Sequence, residues 1–283
     1  MDQENSRPLA TQIDHLVVDA GDRMGEAERA YRAFGFHLTE RGFHTLGSVN
    51  HLAVFQGLYL ELLGMGAGSR RADIATFPEG LNGFVFAAGD VDQLYRDLLA
   101  RGVAAKEPVF FSRPVTLADG IRDAKFDVVR LEPEASPFGR FYFCHHQTPE
   151  LVWTPEAQVH PNGVVAISRV RVSVIDPVRL LEFFGHTLGD TLRVETGENR
   201  SSFRVGDVVV DLYSAPDPSL SSIWAEAKGR SAYMATLTFR TQSLTQTARV
   251  LRENGVAGVI FGSESILIPA TNAFNVGLEF VEA

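Results

Sequence analysis

GFVFAAGDVDQLYRDLLARGVA (residues 83–104) and TLTFRTQSLTQTARVLRENGVA (residues 236–257) follow one plan. Each opens with alternating apolar residues, as a strand does, crosses a short polar turn, and continues as an amphipathic helix that ends at a glycine. Phe86 falls over Phe239 and Leu98 over Leu251, and the Gly-Val-Ala endings coincide at one shift, 236 − 83 = 153 and 255 − 102 = 153. A shift held over twenty-two positions marks an internal repeat rather than a shared composition.

Working outward, the same opening occurs twice more. IDHLVVDAGDRMGEAERAYRAFGF (13–36) and ISRVRVSVIDPVRLLEFFGHTLG (167–189) each run a strand into a helix, with Ile13 over Ile167. Short β-rich segments follow every helix: HLTERGFH (37–44), SVNHLAVF (48–55) and LYLELLG (58–64) in the first unit, and VFFSRPVTL (109–117), AKFDVVRLEP (124–133) and GRFYFCHHQT (139–148) in the second. DTLRVETGE (190–198), SSFRVGD (201–207) and VVVDLYSA (208–215) complete the third, and VIFGSES (259–265), SILIPA (265–270) and NVGLEFVE (275–282) the fourth. The chain therefore reads as four units, each one strand, one helix and three strands. TPELVWTPEAQVHPNG (148–163), with three prolines, an Asn-Gly pair and no periodicity, reads as a strap between two halves. The expected organisation is residues 12–148, a connecting strap at 149–163, and residues 164–283.

The 283 residues carry a formal net charge of −9 and no run of about five or more basic residues, which argues against a nucleic-acid partner. No apolar stretch approaches the ~18 residues of a membrane span, and the polar start MDQENSRPLATQ has no signal-peptide profile and reads as a disordered lead. A cytoplasmic location is the default expectation. The one cysteine, Cys144, rules out an internal disulfide and a thiol cluster for zinc. Neither a G-x-G-x-x-G turn before a helix nor a G-x-S-x-G elbow is present, so neither a dinucleotide site nor a serine hydrolase is indicated.

One residue breaks the apolar pattern. In LYLELL (58–63) Glu61 sits in a run with the look of a strand buried on both faces. Burying even a neutral polar group without a partner costs roughly 2–7 kcal/mol, so a salt bridge with an arginine such as Arg113, a protonated carboxyl or a metal ion must answer it.

A strand–helix–three-strand unit used in pairs resembles the vicinal oxygen chelate superfamily, which includes glyoxalase I and the extradiol dioxygenases. Within it, IDHLVV, GSVNHLAVFQGLYLELLG and HHQTPELVW…HPNG are similar to the glyoxalase-like domain family. The resemblance implies an α+β fold in which four βαβββ units pair into two curled mixed β-sheet domains with helices outside. It also implies a divalent metal (Fe, Mn, Zn or Ni) held from the first and last strands of each unit. Those positions fall on His15 and Glu61 in the first unit. In the second, Gly83 cannot ligate, and the last strand ends in His145 and His146, of which His145 is placed opposite Glu279 and a one-residue slip selects His146. The corresponding C-terminal residues are Arg169, Asp211, Thr236 and Glu279, which read as a salt-bridged, degenerate copy.

Two histidines and one carboxylate suit such an ion and leave positions open for substrate. The expected function is thus a metal-dependent lyase or isomerase acting on a small oxygenated organic substrate, with Glu61 as ligand and base. The alternatives are a metal-free small-molecule binding or sequestering protein of the same fold, and an extradiol-type dioxygenase. His51 is expected at the rim of the cavity, and a homodimer formed through the C-terminal half is a further expectation.

Overall fold

Residues 7–66, 69, 74, 77–117, 120–136, 139–214 and 231–283 are described by the computed structural model, Asp190 by its backbone alone. The start of the polar lead and the last residue of VVVDLYSA lie outside the described residues.

The first unit is β1 (Ile13–Asp19), α1 (Met24–Ala33), β2 (Gly42–Phe43), β3 (Ser48–Val54) and β4 (Tyr59–Met65). The second is β5 (Gly80–Ala87), α2 (Val91–Ala100), β6 (Val109–Leu117), β7 (Gly120–Arg130) and β8 (Arg140–His146). β9 (Val164–Val174), α3 (Pro177–Leu188), β10 (Glu195–Thr196), β11 (Arg200–Val205) and β12 (Val208–Tyr213) form the third. β13 (Ala232–Thr241), α4 (Leu244–Glu253), β14 (Ile260–Phe261), β15 (Ser265–Ile268) and β16 (Gly277–Glu282) form the fourth. Helices α2 to α4 begin where a polar side chain takes up a free backbone amide: Asp90 accepts from Gln93 N–H, Asp176 from Val178 N–H and Ser243 from Gln246 N–H, whereas α1 starts at Arg23 without such a cap. Behind α2 and α4 the chain turns at Gly102 (φ +73°) and Gly255 (φ +65°), the left-handed conformation that explains the repeated Gly-Val-Ala.

The strands make two eight-stranded mixed sheets of identical order, β2-β3-β4-β1-β5-β8-β7-β6 and β10-β11-β12-β9-β13-β16-β15-β14. In each, the first strands of two units pair antiparallel at the centre, while each runs parallel to the last strand of its own unit. This is the α+β architecture of four βαβββ units in two curled sheets. Helices α1 to α4 lie outside the curl and feed one apolar cluster shared by both halves. Phe183 and Phe184 of α3 pack on Phe141 and Phe84 of the first sheet, and Phe36 packs on Phe239 and Phe280 of the second.

The segments at the sheet edges are shorter than the sequence suggests. HLTERGFH keeps only two residues as β2, because Thr39 ties itself to Leu52 through both its backbone N–H and its side-chain oxygen, outside a regular ladder. β10 and β14 shrink in the same way. The strap covers the edge of the first unit: His160 accepts from His37 N–H and lies 3.0 Å from the Val54 carbonyl.

The two sheets differ in closure. In the first, β2 packs against β6, and Thr45 N–H donates to the Ser112 carbonyl, so the two edges meet across a seam. No comparable packing joins β10 to β14 among the described residues.

Candidate functional site

Every residue of β1 is buried, and its two faces have different surroundings. Leu16 and Val18 join the shared core, whereas Val17 packs with Tyr59, Val85 and Cys144 on the concave face. His15 lies on that concave face and lines a cavity with Glu61, His44, Asn50, Tyr59 and Tyr142. The space open to water centres inside it is about 100 Å³. At ~10–15 Å³ per water, that is room for several waters or a small organic molecule.

A bulge brings a further residue into play. Ile13 pairs with Phe86 and His15 with Val85, so Asp14 is the extra residue and turns inward beside His15 rather than away from it. Its carboxyl lies 2.5 Å from His15 Nδ1 and 3.0 Å from His146 Nε2. Burial works to raise the Asp14 carboxyl, but the hydrogen bonds and charges of His146 and His15 outweigh it and hold it below its ordinary value. An ionised carboxylate only accepts, which puts a proton on His15 Nδ1 and leaves Nε2 as an acceptor. Tyr142 Oη stands 3.0 Å from that Nε2. Burial, reinforced by the charge of Glu61, raises the Tyr142 phenol, so it keeps its proton and donates.

Glu61 sits beside this chain. Its Oε2 is 3.8 Å from His15 Nε2, and its Oε1 accepts from Asn50 Nδ2 at 2.7 Å with His44 Nε2 4.0 Å away. Arg113 forms no ion pair with it; that guanidinium is buried without a hydrogen-bonded or ionic partner among the described residues. Burial pushes Arg113 below its ordinary value against the pull of Tyr59 and Glu61. Arg140, by contrast, donates to Asn82 at 3.0 Å and stands 3.9 Å from Asp19.

Register fixes which residues correspond. Val17 faces Glu61 across β1 and β4, and Val85 faces Tyr142 across β5 and β8. Arg171 faces Asp211 and Thr238 faces Glu279 in the second sheet. The residue placed like Glu279 is therefore Tyr142, three positions before His145. His145 points to the opposite face, 3.1 Å from the Ala88 carbonyl, because β8 alternates strictly from Tyr142 onward. His146 shares the face of Tyr142 and Cys144 but reaches Asp14 rather than the cavity that holds Glu61. Gly83 is closed to any side chain: a Cβ there would meet Val17 Cβ at 2.4 Å. His51 stays outside the lining, against Thr39 and Glu28.

These positions offer a divalent ion two donors, His15 Nε2 and Glu61 Oε2, where a facial set needs three. The neutral phenol at Tyr142 is a poor third, and the lining carries Lys106, Arg113, Arg130 and Arg140 against the one acid Glu61. The register positions thus do not fit a metal by themselves. One group among the described residues has three donor atoms within 4.8 Å of one another: Asp14, Cys144 and His146. His146 Nδ1 and Trp153 Nε1, whose rings lie 4.7 Å apart, are buried there without partners.

In the second sheet the same bulge falls on Ser168, and the corresponding positions are filled by ion pairs. Arg169 and Ser202 both donate to Asp211, and Arg171 donates to Glu279 at 2.7 Å.

Asp14, His44, Arg113 and Tyr142 were not singled out as site residues by their sequence context. Only the Asp-His pair at the start of a strand gave any signal, and the bulge that makes Asp14 useful has none.

Comparisons agree with this architecture. The chain superposes on a hypothetical protein from Staphylococcus aureus with a TM-score of 0.64 at 10% identity, covering 96% of this chain and 99% of that one. A triple mutant of 4-hydroxymandelate synthase from Streptomyces coelicolor gives 0.58 at 12% identity, over 96% and 92%. The Mn(II)-bound glyoxalase from Novosphingobium aromaticivorans gives 0.55 at 14% identity, over 96% and 82%. No curated protein matches in sequence. The model of the glyoxalase-like domain matches residues 13–188, well over half the chain. By that match and by its paired βαβββ units, the chain belongs to the glyoxalase-like domain family of the vicinal oxygen chelate superfamily.

Proposed function

We propose that this protein is a lyase or isomerase that enolises a small oxygenated organic substrate enclosed by the first sheet. The observation that carries the reading is Glu61: a carboxylate lining the cavity, oriented by Asn50 at 2.7 Å and set beside the Asp14–His15–Tyr142 chain. In this reading Glu61 takes a proton from the carbon next to a carbonyl. The Tyr142 hydroxyl, turning its single proton from His15 Nε2 to the substrate, donates to the oxygen on which charge develops. Returning the proton to the neighbouring carbon gives an isomerase; losing a β-substituent gives a lyase. The aromatic walls Tyr59, Phe111 and Phe126 keep water from competing.

Small 2-hydroxycarbonyl compounds incubated with the protein in D2O report the step directly. Wild type exchanges the α-proton, followed by NMR, and Glu61→Gln loses the exchange by a factor of roughly 10²–10⁴, the usual contribution of a positioned base. Exchange that survives Glu61→Gln overturns the assignment; binding without exchange in wild type supports a sequestering protein instead.

No step here passes through a metal. A second reading, favoured by the Asp14, Cys144 and His146 donors, is that a thiophilic ion such as zinc is held at that buried group. Elemental analysis of untagged protein tests it, with Cys144→Ala as control: metal at well under one equivalent in wild type removes this reading and leaves the proton chemistry untouched.

A further inference from the structure

We infer that Arg113 is the anchor for a substrate carboxylate, so that the cavity selects small 2-hydroxy and 2-oxo acids over neutral carbonyl compounds. The inference rests on the proposed function for what happens at the reacting end of the molecule, but not for binding.

Three observations carry it. First, Arg113 is 4% exposed and lines the cavity, yet among the described residues its guanidinium makes no hydrogen bond and no ion pair, with Glu61 acting on it only from a distance. A guanidinium presents five donors in a fixed fork and is costly to bury unpaired, so a planar, bidentate anion is the partner that fits it. The other arginines of the two concave faces whose partners are defined make such contacts inside the protein: Arg140 with Asn82, Arg169 with Asp211 and Arg171 with Glu279.

Second, the chain makes room for it. Arg113 comes from β6 and meets β2 across the seam at Gly42, where a Cβ would lie 3.1 Å from Arg113 Cδ, 3.3 Å from its Nη1 and 2.3 Å from Asn50 Oδ1. The glycine lets the arginine stem and the asparagine that orients Glu61 share one wall. Third, the lining holds four cationic side chains and one acid; Lys106 and Arg140 face Glu132 and Asp19 at 3.7 and 3.9 Å, and the excess that remains favours an anion. The same lining holds Phe111, Tyr59 and Leu63, which suits a compact organic acid rather than a bare inorganic ion.

The experiment is a titration of the full-length protein with lactate and 3-phenyllactate, each against its methyl ester, by calorimetry. Wild type is expected to bind at least one acid about 10-fold or more tighter than its ester, the scale of a charge-assisted bidentate contact. Arg113→Gln brings that acid to the affinity of its ester, Arg113→Lys keeps part of the preference, and Glu61→Gln binds the acid as tightly as wild type or tighter. Acid and ester binding alike, no binding of either acid, or a preference that survives in folded Arg113→Gln overturns the anchor. Should Arg113→Gln not fold, the Arg113 Nε–H resonance of wild type decides: it moves on adding the acid and not the ester, or the inference is wrong. The two readings fail separately. Loss of acid preference without loss of α-proton exchange removes the anchor alone, and exchange unaffected by Glu61→Gln removes the base alone.

Discussion

The two sheets share strand order, register and both central bulges, yet differ in how the charges on their concave faces are met. In the C-terminal sheet Arg169 meets Asp211 and Arg171 meets Glu279, and the inner positions are closed by ion pairs. In the N-terminal sheet, Val17 stands where Arg171 does, so Glu61 and Tyr142 meet no arginine from β1. Arg113, arriving from the opposite edge, is left without a partner among the described residues. One frame thus carries two different concave faces, set by the residues at four register positions and by the closure of the seam.

The sharpest break in the comparison is Asp211→Ala. Asp211 is fully buried and holds both Arg169 and Ser202, so its loss strands a guanidinium and a hydroxyl. We expect a cost of about 3 kcal/mol, at the low end for a broken buried pair because Arg169 is partly exposed. Urea denaturation measures it. Glu61→Gln, which keeps the Asn50 hydrogen bond and breaks no ion pair with an arginine, should cost about 1 kcal/mol or less.

The strap between the halves gives an effect of similar size through pH. His160 is pushed from 6.5 to about 4 by burial, against the pull of its contact with the Val54 carbonyl. Its folded pKa is depressed, so the unfolded chain takes up a proton between pH 6.5 and about 4 while the folded one does not. Stability is therefore full above pH 6.5 and falls across that window by about 3 kcal/mol, at ~1.4 kcal/mol per pKa unit. Denaturation curves at pH 7 and pH 4.5 should show the loss, and His160→Gln should remove most of the slope.

Much of this fold was legible because its repeat is local: the apolar alternation, the helix caps and Gly102 and Gly255 recur at a near-constant shift. His15 and Glu61 stood out as polar residues on apolar strands, and the structure brings them to 3.8 Å. What the sequence hid depends on register and on non-neighbours. The choice among Tyr142, His145 and His146 turns on how β8 slides along β5, and apolar residues on both faces of β8 leave that slide unmarked. The inward turn of Asp14 needs a bulge. His44 and Arg113 reach the cavity only because β2 and β6, at opposite ends of the strand order, curl round to meet.

A smaller test asks whether the N-terminal sheet tolerates the side chain its partner uses. Gly83→Thr copies Thr236, but a Cβ at 83 would sit 2.4 Å from Val17 Cβ and 2.6 Å from its Cγ2. Overpacking of that kind costs about 2 kcal/mol. Because the first clash is with the Cβ itself, Val17→Ala should not restore stability, and a full rescue would mean that the central strands shift more freely than their register implies.

One expected effect has the opposite sign. Arg113→Met replaces an unpartnered buried guanidinium with an apolar chain of similar reach, against walls formed by Phe111, Tyr59 and Leu63. Where a protein's charges are mutually satisfied, as at Asp211, such a change destabilises; where a charge is held for a ligand, removing it relieves an unreturned desolvation cost. We expect the variant to unfold at higher urea, by about 1 kcal/mol, while losing its preference for acids over esters. Equal or lower stability would mean that Arg113 already has its counter-charge in the free protein, and the contrast between the two sheets would then lie in their geometry rather than in their charge.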